Sequence, residues 1–252
     1  MTKQWQPLTD SQWAAISPFL DLKRKRKHAL RDIMDALLYV LRTGCQWRNL
    51  PPHWPHWQAV YYYFDQWKTD HTLEKINRRV NQLDREREGR MAMPSIFSID
   101  SQSVKLAPMI WEYRGLDPHK RVNGRKRQFV VDSGGRLWVA HVHAANEADG
   151  PVAALLVEDL IYVGDRLEKV YGDGAYGGQF AHALAEWGID FERASRPEST
   201  QGFVPVAKRW VVERSIAWTN FFRRIVKDYE YTLSSSAGWL YLANIQLMLQ
   251  RM

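Results

Sequence analysis

Gln128-Phe129-Val130-Val131-Asp132-Ser133-Gly134-Gly135-Arg136-Leu137-Trp138-Val139-Ala140-His141-Val142-His143 is the stretch on which the fold turns. Two runs rich in β-branched and aromatic residues flank Ser-Gly-Gly-Arg, so an antiparallel hairpin is predicted. Upstream, Ser95 to Asp100 reads as a short strand, and residues 105–125 carry Pro, Gly and bases without periodicity. Downstream the pattern alternates. Pro151 to Leu160 suits a helix, Lys169 to Gly172 a strand running into Gly-Asp-Gly, Gly178 to Trp187 a helix, and Ile189 to Ala194 a strand. A long helix over 206–226 and a last one over 237–250 complete a βββαβαβα order with a terminal helix. The hairpin extends the sheet on one side of the first strand, and the fourth strand, after its crossover helix, lands on the other. That is a topological switch point, where ligands bind at strand carboxyl ends.

The first 90 residues have a different period. Thr9-Asp10-Ser11-Gln12 has the form of a capping box, with Trp13, Ile16, Phe19 and Leu20 at helical spacing behind it. After the run Lys23-Arg24-Lys25-Arg26-Lys27, an apolar stripe from Leu30 to Leu41 stops at Gly44. A turn with three prolines precedes an aromatic helix over 57–67, and a polar helix covers 71–88. Two domains are expected: a helical, DNA-binding one over 1–90 and an α/β one over 91–252.

Composition narrows the function. The chain has 252 residues, and 35 Lys and Arg face 28 Asp and Glu, a formal net charge of +7 that points to a polyanionic partner. Cys45 is the single cysteine, which excludes an intramolecular disulfide and a thiolate zinc site within one chain. No apolar run is long enough to span a membrane and residues 1–10 have no signal-peptide core, so a cytoplasmic, nucleoid-associated protein is expected. Any metal would be held by oxygen or imidazole.

Asp100 ends the first strand and Asp173 follows the fourth, so the switch point brings two acids together. Taken singly, each reads as a strand-end or turn cap. Paired, they suit hard divalent cations and phosphodiester chemistry. Gly172 and Gly174 beside Asp173 are expected to let a DNA backbone approach. A third acid, Glu213, lies four residues after Arg209 on the long helix; periodicity alone equally describes it as an exposed ion pair.

These blocks together resemble transposases of the insertion-sequence-five family, within the DDE superfamily on an RNase H-like mixed α/β fold. The resemblance runs through Leu8-Thr9-Asp10-Ser11-Gln12-Trp13, the stretch from Leu38 to Pro51, Ile99-Asp100-Ser101-Gln102-Ser103-Val104-Lys105, Asn123-Gly124-Arg125-Lys126-Arg127, Gly172-Asp173-Gly174-Ala175-Tyr176 and Trp210-Val211-Val212-Glu213-Arg214. It implies that Asp100, Asp173 and Glu213 are the catalytic, metal-binding triad for two Mg2+ ions, with Mn2+ able to substitute. It also implies that Arg209 contacts DNA. Related enzymes carry a lysine seven residues after the glutamate; here Asn220 stands there, with Arg223 and Arg224 the nearest bases. The implied partners are the double-stranded ends of an insertion sequence and target DNA, bound by a homodimer or higher oligomer.

Lys23, Arg24, Lys25, Arg26 and Lys27 are expected to neutralise phosphates, as are Lys105, Lys120, Arg121, Arg125, Lys126 and Arg127 near the acids. Most of the aromatic cluster from Trp54 to Trp67 reads as core, and His141 with His143 as ordinary strand histidines. Two other functions share the same chemistry: a structure-selective nuclease or resolvase that never joins ends, and a domesticated, non-catalytic DNA-binding protein.

Overall fold

The computed structural model describes residues 5–194 and 207–252. Helix α1 (Asp10–Ile16) opens as its sequence predicts: the Thr9 hydroxyl accepts the Gln12 N–H, and the Gln12 side chain accepts the Thr9 N–H. Helix α2 (Leu30–Thr43) ends at Gly44, whose left-handed φ of 68° is one that glycine adopts without strain. Helices α3 (Trp57–Thr69) and α4 (Thr72–Arg87) follow. Ile33, Met34, Leu37 and Leu41 of α2 are fully buried.

One polar group interrupts that apolar face. Asp35 is buried on α2 and accepts the Leu8 N–H at 2.8 Å, which pins the N-terminal segment. Burial pushes its carboxyl up to about 6, from an ordinary 3.8. Between roughly pH 4 and 6 the folded chain therefore keeps a proton that the unfolded chain has lost, and stability falls as pH rises through that window. Asp35→Asn keeps the acceptor for Leu8 without the charge. We expect it to raise stability by about 1–2 kcal/mol at pH 8 and to have little effect below pH 4. Urea midpoints at the two pH values check this, and an equal effect at both would refute the titration.

The sheet contains β1 (Ile96–Lys105), β2 (Gly115–Asp117), β3 (Val122–Asp132), β4 (Leu137–Ala144), β5 (Lys169–Gly172) and β6 (Asp190–Arg193). β3 pairs antiparallel with β1, and β4 pairs antiparallel with β3 through the predicted hairpin. β5 joins the other side of β1 in parallel, and β6 follows in parallel. The main path is β2-β3-β1-β5-β6, with β4 also on β3. This is the switched arrangement expected of an RNase H-like fold. The short β2 adds to it, inside a stretch whose sequence showed no period.

The helix expected over 151–160 is two short ones, α5 (Asp149–Ala154) and α6 (Val157–Val163). Helix α7 (Gln179–Ala185) lies between β5 and β6. Helix α8 (Ala207–Thr219) stops earlier than its sequence suggests. Phe222 turns to an extended backbone, Phe222 and Ile225 enter the core, and Arg224 lies over the Trp47 and Trp239 rings. Tertiary packing outweighs continued helix here. The terminal helix α9 (Leu233–Leu249) is apolar nearly all round because it is buried nearly all round.

Alternation along the strands divides the core. Phe129, Val131, Leu137, Ala140 and Val142 pack with α1 to α4 and α9, while Phe97, Ile99, Val130, Val139 and Val170 pack with α5, α6 and α7. The helices of residues 1–90 thus share one core with α9 and one sheet face. The outer edge of β4 is sealed by side chains: Asn244 accepts the Leu137 N–H, Asn77 and Asn81 donate to the Leu137 carbonyl, and the Tyr241 hydroxyl accepts the Ala140 N–H. A free edge would invite another strand. No helix among the described residues is long and apolar enough to cross a membrane.

Candidate active site

Ser98 of β1 pairs with Tyr171 of β5. Two residues further along each chain stand Asp100, within β1, and Asp173, just past the end of β5, and alternation puts both on the face of Ser98 and Tyr171. Asp173 keeps the strand going, with φ −82° and ψ −174°. Its carboxylate accepts the Ala175 N–H at 2.9 Å, capping a 3-10 turn over Gly174–Tyr176. The Asp100 carboxylate accepts its neighbour Ser101 N–H at 2.7 Å. Both side chains are half-buried. An all-oxygen pair with part of its surface open to solvent fits a hard divalent cation.

A buried polar network lies under this turn on the opposite face of the sheet. The Tyr176 hydroxyl donates to the Gln128 side-chain oxygen at 2.6 Å, and the Gln128 amide donates to Asp149 at 2.8 Å and lies 3.1 Å from the His143 ring. Burial raises the Tyr176 phenol well above its ordinary range, and the carboxylates of Asp149, Asp100 and Asp173 add to the shift. All three acids therefore lie within electrostatic reach of one ring. Burial lowers the pKa of His141 and His143 on the same face of β4. The acids sit across the sheet from this hydrogen-bonded floor.

Gly172 is required by packing inside the protein, whereas Gly174 is exposed and is approached only by the far end of the Arg193 side chain. A Cβ on Gly172 would come within about 3.0 Å of Ile99 and Phe191, and one on Gly174 within 2.9 Å of the Arg193 guanidinium. At Gly172 the close approach is made by the protein itself.

Glu213 is exposed on α8, which packs across β1, β3 and β5 on the acids' face of the sheet. Val212, Ser215 and Thr219 form the buried side of this helix. The Ser215 hydroxyl donates to the Gly135 carbonyl at 2.8 Å, and Arg214, stacked on Trp210 and Trp218, donates to the Gly134 carbonyl. Gly134 and Gly135 belong to the β3–β4 turn, at the amino end of β1, since Asp132 pairs with Phe97. Asp100 is three residues beyond Phe97, about 10 Å along the strand, while Glu213 is only about 3 Å of helix rise from Ser215. Glu213 thus lies on a helix over the acids' face of the sheet, two residues from the Ser215 that meets the β3–β4 turn. Among the described residues no three His, Cys, Asp or Glu side chains are arranged to hold a metal ion. The β1–β5 pairing carries Asp100 and Asp173 on neighbouring strands, and α8 carries Glu213 over the same face of the sheet. The Arg209 side chain lies outside the described residues.

The basic residues divide sharply. Lys23, Arg24, Lys25 and Lys27 are exposed, and Arg26 pairs with Asp21 at 3.0 Å. Lys105, Lys120, Arg121 and Arg223 are exposed as well. Arg125, Lys126 and Arg127, expected on DNA, are instead buried inside the protein. Arg125 and Arg127 flank Asp228, and the Lys126 ammonium meets Asp149 and the Glu147 carbonyl. Their charged ends meet internal partners, with the Nε of Arg125 and of Arg127 left without a hydrogen-bond partner. Arg224 is likewise drawn inward to Glu230.

A mixed sheet switched at β1, with Asp100 in the middle of β1, which runs on to Lys105 rather than ending at the acid as expected, and Asp173 just past β5, is the frame of a DDE-type DNA transposase. A family model described as a transposase DDE domain matches residues 91–248, and one described as a transposase of the IS4/5 family matches residues 8–77. The chain belongs to the transposase DDE domain family. No curated protein matches it. Among solved structures, the chain is similar to the piggyBac transposase in a synaptic complex with hairpin DNA, with a TM-score of 0.46 and 10% identity over 97% of this chain and 71% of that one.

Proposed function

We propose that this transposase binds the inverted-repeat ends of an insertion sequence, hydrolyses phosphodiester bonds there and joins the freed 3′-OH to target DNA. The observation that supports the reading is the parallel pairing of β1 with β5, whose last matched pair, Ser98 and Tyr171, lies two residues before Asp100 and Asp173. Asp100 and Asp173 would hold a divalent cation, Mg2+ or Mn2+, and Glu213 would complete a two-ion site from α8. Such ions, when bound, activate the attacking oxygen and stabilise the leaving one. The chain's own part is to fix the two carboxylates: the Ala175 N–H orients Asp173, the Ser101 N–H orients Asp100, and the Tyr176–Gln128–Asp149 network holds the turn that carries Asp173. Lys105, Lys120 and Arg121, exposed beyond the carboxyl end of β1, and the run Lys23 to Lys27 would position phosphate backbone. Arg209 and Arg223 are proposed to contact the DNA as well. Residues 1–90 would read the end sequence, and the assembly on DNA would be a dimer or larger in the cytoplasm.

A duplex carrying one labelled element end tests this directly. With Mg2+ or Mn2+ we expect nicking at the end and a joined product with added target DNA; in excess chelator we expect neither. Cleavage that persists in chelator would overturn the metal reading. Nicking without a joined product would assign the protein to the nucleases.

A further inference from the structure

Beyond the acids, β1 leads into a loop whose surface is unlike the rest of the molecule. Met109, Trp111, Tyr113 and Leu116 are all more than half exposed, and Tyr229 and Tyr231 lie on a segment tied to the same loop. The tie is made in three places. The Ala107 N–H donates to the Asp228 carbonyl, the Asp228 N–H donates to the Lys105 carbonyl, and buried Arg125 donates to the carbonyls of Glu112, Glu230 and Tyr231. Arg114 adds donations to the Ala107 and Ile110 carbonyls. Rings presented from so constrained a frame lose little conformational freedom on binding.

Two details show that the rings are held for contact. Tyr113 and Arg121 adopt left-handed backbone at φ 54° and 52°, a conformation costly for side chains of this kind. Trp111 is 74% exposed, with the Arg114 guanidinium 5.0 Å from its ring centroid. One face of the indole is thus backed by a cation and the other is open. Lys227 stands in the same relation to Tyr229, at 5.7 Å.

The charge around the rings selects the partner. Lys105, Arg114, Lys120, Arg121 and Lys227 lie on these two segments, whereas Asp117, Asp228 and Glu230 are buried and Glu112 is the one exposed acid. Arg114 and Lys120 donate to carbonyl oxygens, which leaves their charge uncompensated. Open aromatic faces interleaved with cations are what a single nucleic-acid strand requires, since every base offers a π-face and every phosphate a charge. Lys105 is five residues past Asp100, about 16 Å at strand rise.

We propose that Trp111, Tyr113, Tyr229 and Tyr231 form a stacking platform for unpaired bases of a DNA strand, with the neighbouring lysines and arginines tracking its phosphates. The choice of DNA rests on the transposase reading; the platform itself does not depend on the acids. It places single-stranded DNA close to the cut.

The test is equilibrium binding of a fluorescent 20-nucleotide oligo-dT to the full chain in excess EDTA, where failure of the catalytic proposal cannot affect the outcome. We expect saturable binding that weakens about tenfold in Trp111→Ala and again in Tyr229→Ala, while Trp111→Phe stays near the parent. Trp187→Ala, which removes an exposed tryptophan from another part of the surface, should bind as the parent does. Unchanged thermal melting of each variant shows that the surface rings were removed without loss of fold. The proposal is overturned if the parent fails to bind oligo-dT or if Trp111→Ala and Tyr229→Ala both bind like the parent. It is equally overturned if these substitutions split an oligomer and leave oligonucleotide affinity intact, which would give the patch to a second copy of the chain.

Discussion

Asp173→Asn is expected to lower cleavage of a labelled element end by at least about a thousandfold while leaving duplex binding within a factor of two. The size follows from what is removed. A carboxylate that holds a divalent ion in the transition state contributes several kcal/mol, and about 4 kcal/mol corresponds to three orders of magnitude in rate. The specificity of the substitution follows from the local structure. Asp173 also caps the turn after β5 by accepting the Ala175 N–H, and asparagine offers the same oxygen in the same place. Fold and floor should therefore survive, and unchanged melting would show it. Asp100→Asn should behave alike. Glu213→Gln separates the two descriptions of α8: a loss of similar size would mean that the helix brings Glu213 to the pair when DNA and metal are bound. Near-normal cleavage would leave it a surface residue worth at most about 0.5 kcal/mol. Near-normal cleavage by Asp173→Asn would dismiss the site altogether.

The sheet was legible because its signals are local. Ser133-Gly134-Gly135-Arg136 specifies a hairpin, and Gly135 takes the positive φ of 83° that such a turn needs. The Gly-Asp-Gly after β5 marks a strand end, and chain order alone then places Asp173 beside Asp100. What was not legible depends on partners distant in sequence. Arg125, Lys126 and Arg127 read as a surface patch because charged side chains are seldom buried unless paired, and Asp228, which pairs both arginines, lies a hundred residues away. Tyr176 and Gln128 are 48 residues apart, so nothing in their own neighbourhoods announced the network beneath the acids. Trp111 and Tyr113 fall in a stretch with no period at all, where a tryptophan is as readily core as surface; only its exposure distinguishes the two. The early end of α8 has the same origin, since Phe222 and Ile225 are claimed by a core shared between residues 1–90 and the sheet with α9.

Asp228→Ala should destabilise the protein by about 3–5 kcal/mol, a large part of the 5–15 kcal/mol that a domain possesses. The carboxylate is 1% exposed and lies 3.4 Å from the fully buried Arg125 guanidinium and 4.0 Å from that of Arg127. Burial already pushes Arg127 down, and Asp228 is the charge that opposes this most. Its two oxygens also accept the Glu230 N–H at 2.9 Å and the Ser236 hydroxyl at 2.7 Å. Alanine would leave two buried cations in mutual repulsion and two donors without acceptors, and each of those donors costs about 1–3 kcal/mol. Asp228→Asn should cost less, because an amide oxygen still accepts the Glu230 N–H. Urea unfolding of the two variants measures the difference, and a loss below about 1 kcal/mol for Asp228→Ala would contradict a desolvated cluster. Arg125→Ala supplies the complementary result. If its guanidinium ties residues 112, 230 and 231 together, the substitution lowers stability and loosens the aromatic loop, so oligo-dT binding falls while its salt dependence keeps the parent slope. A phosphate contact at Arg125 would do the reverse, reducing the slope by about one counterion and leaving stability alone.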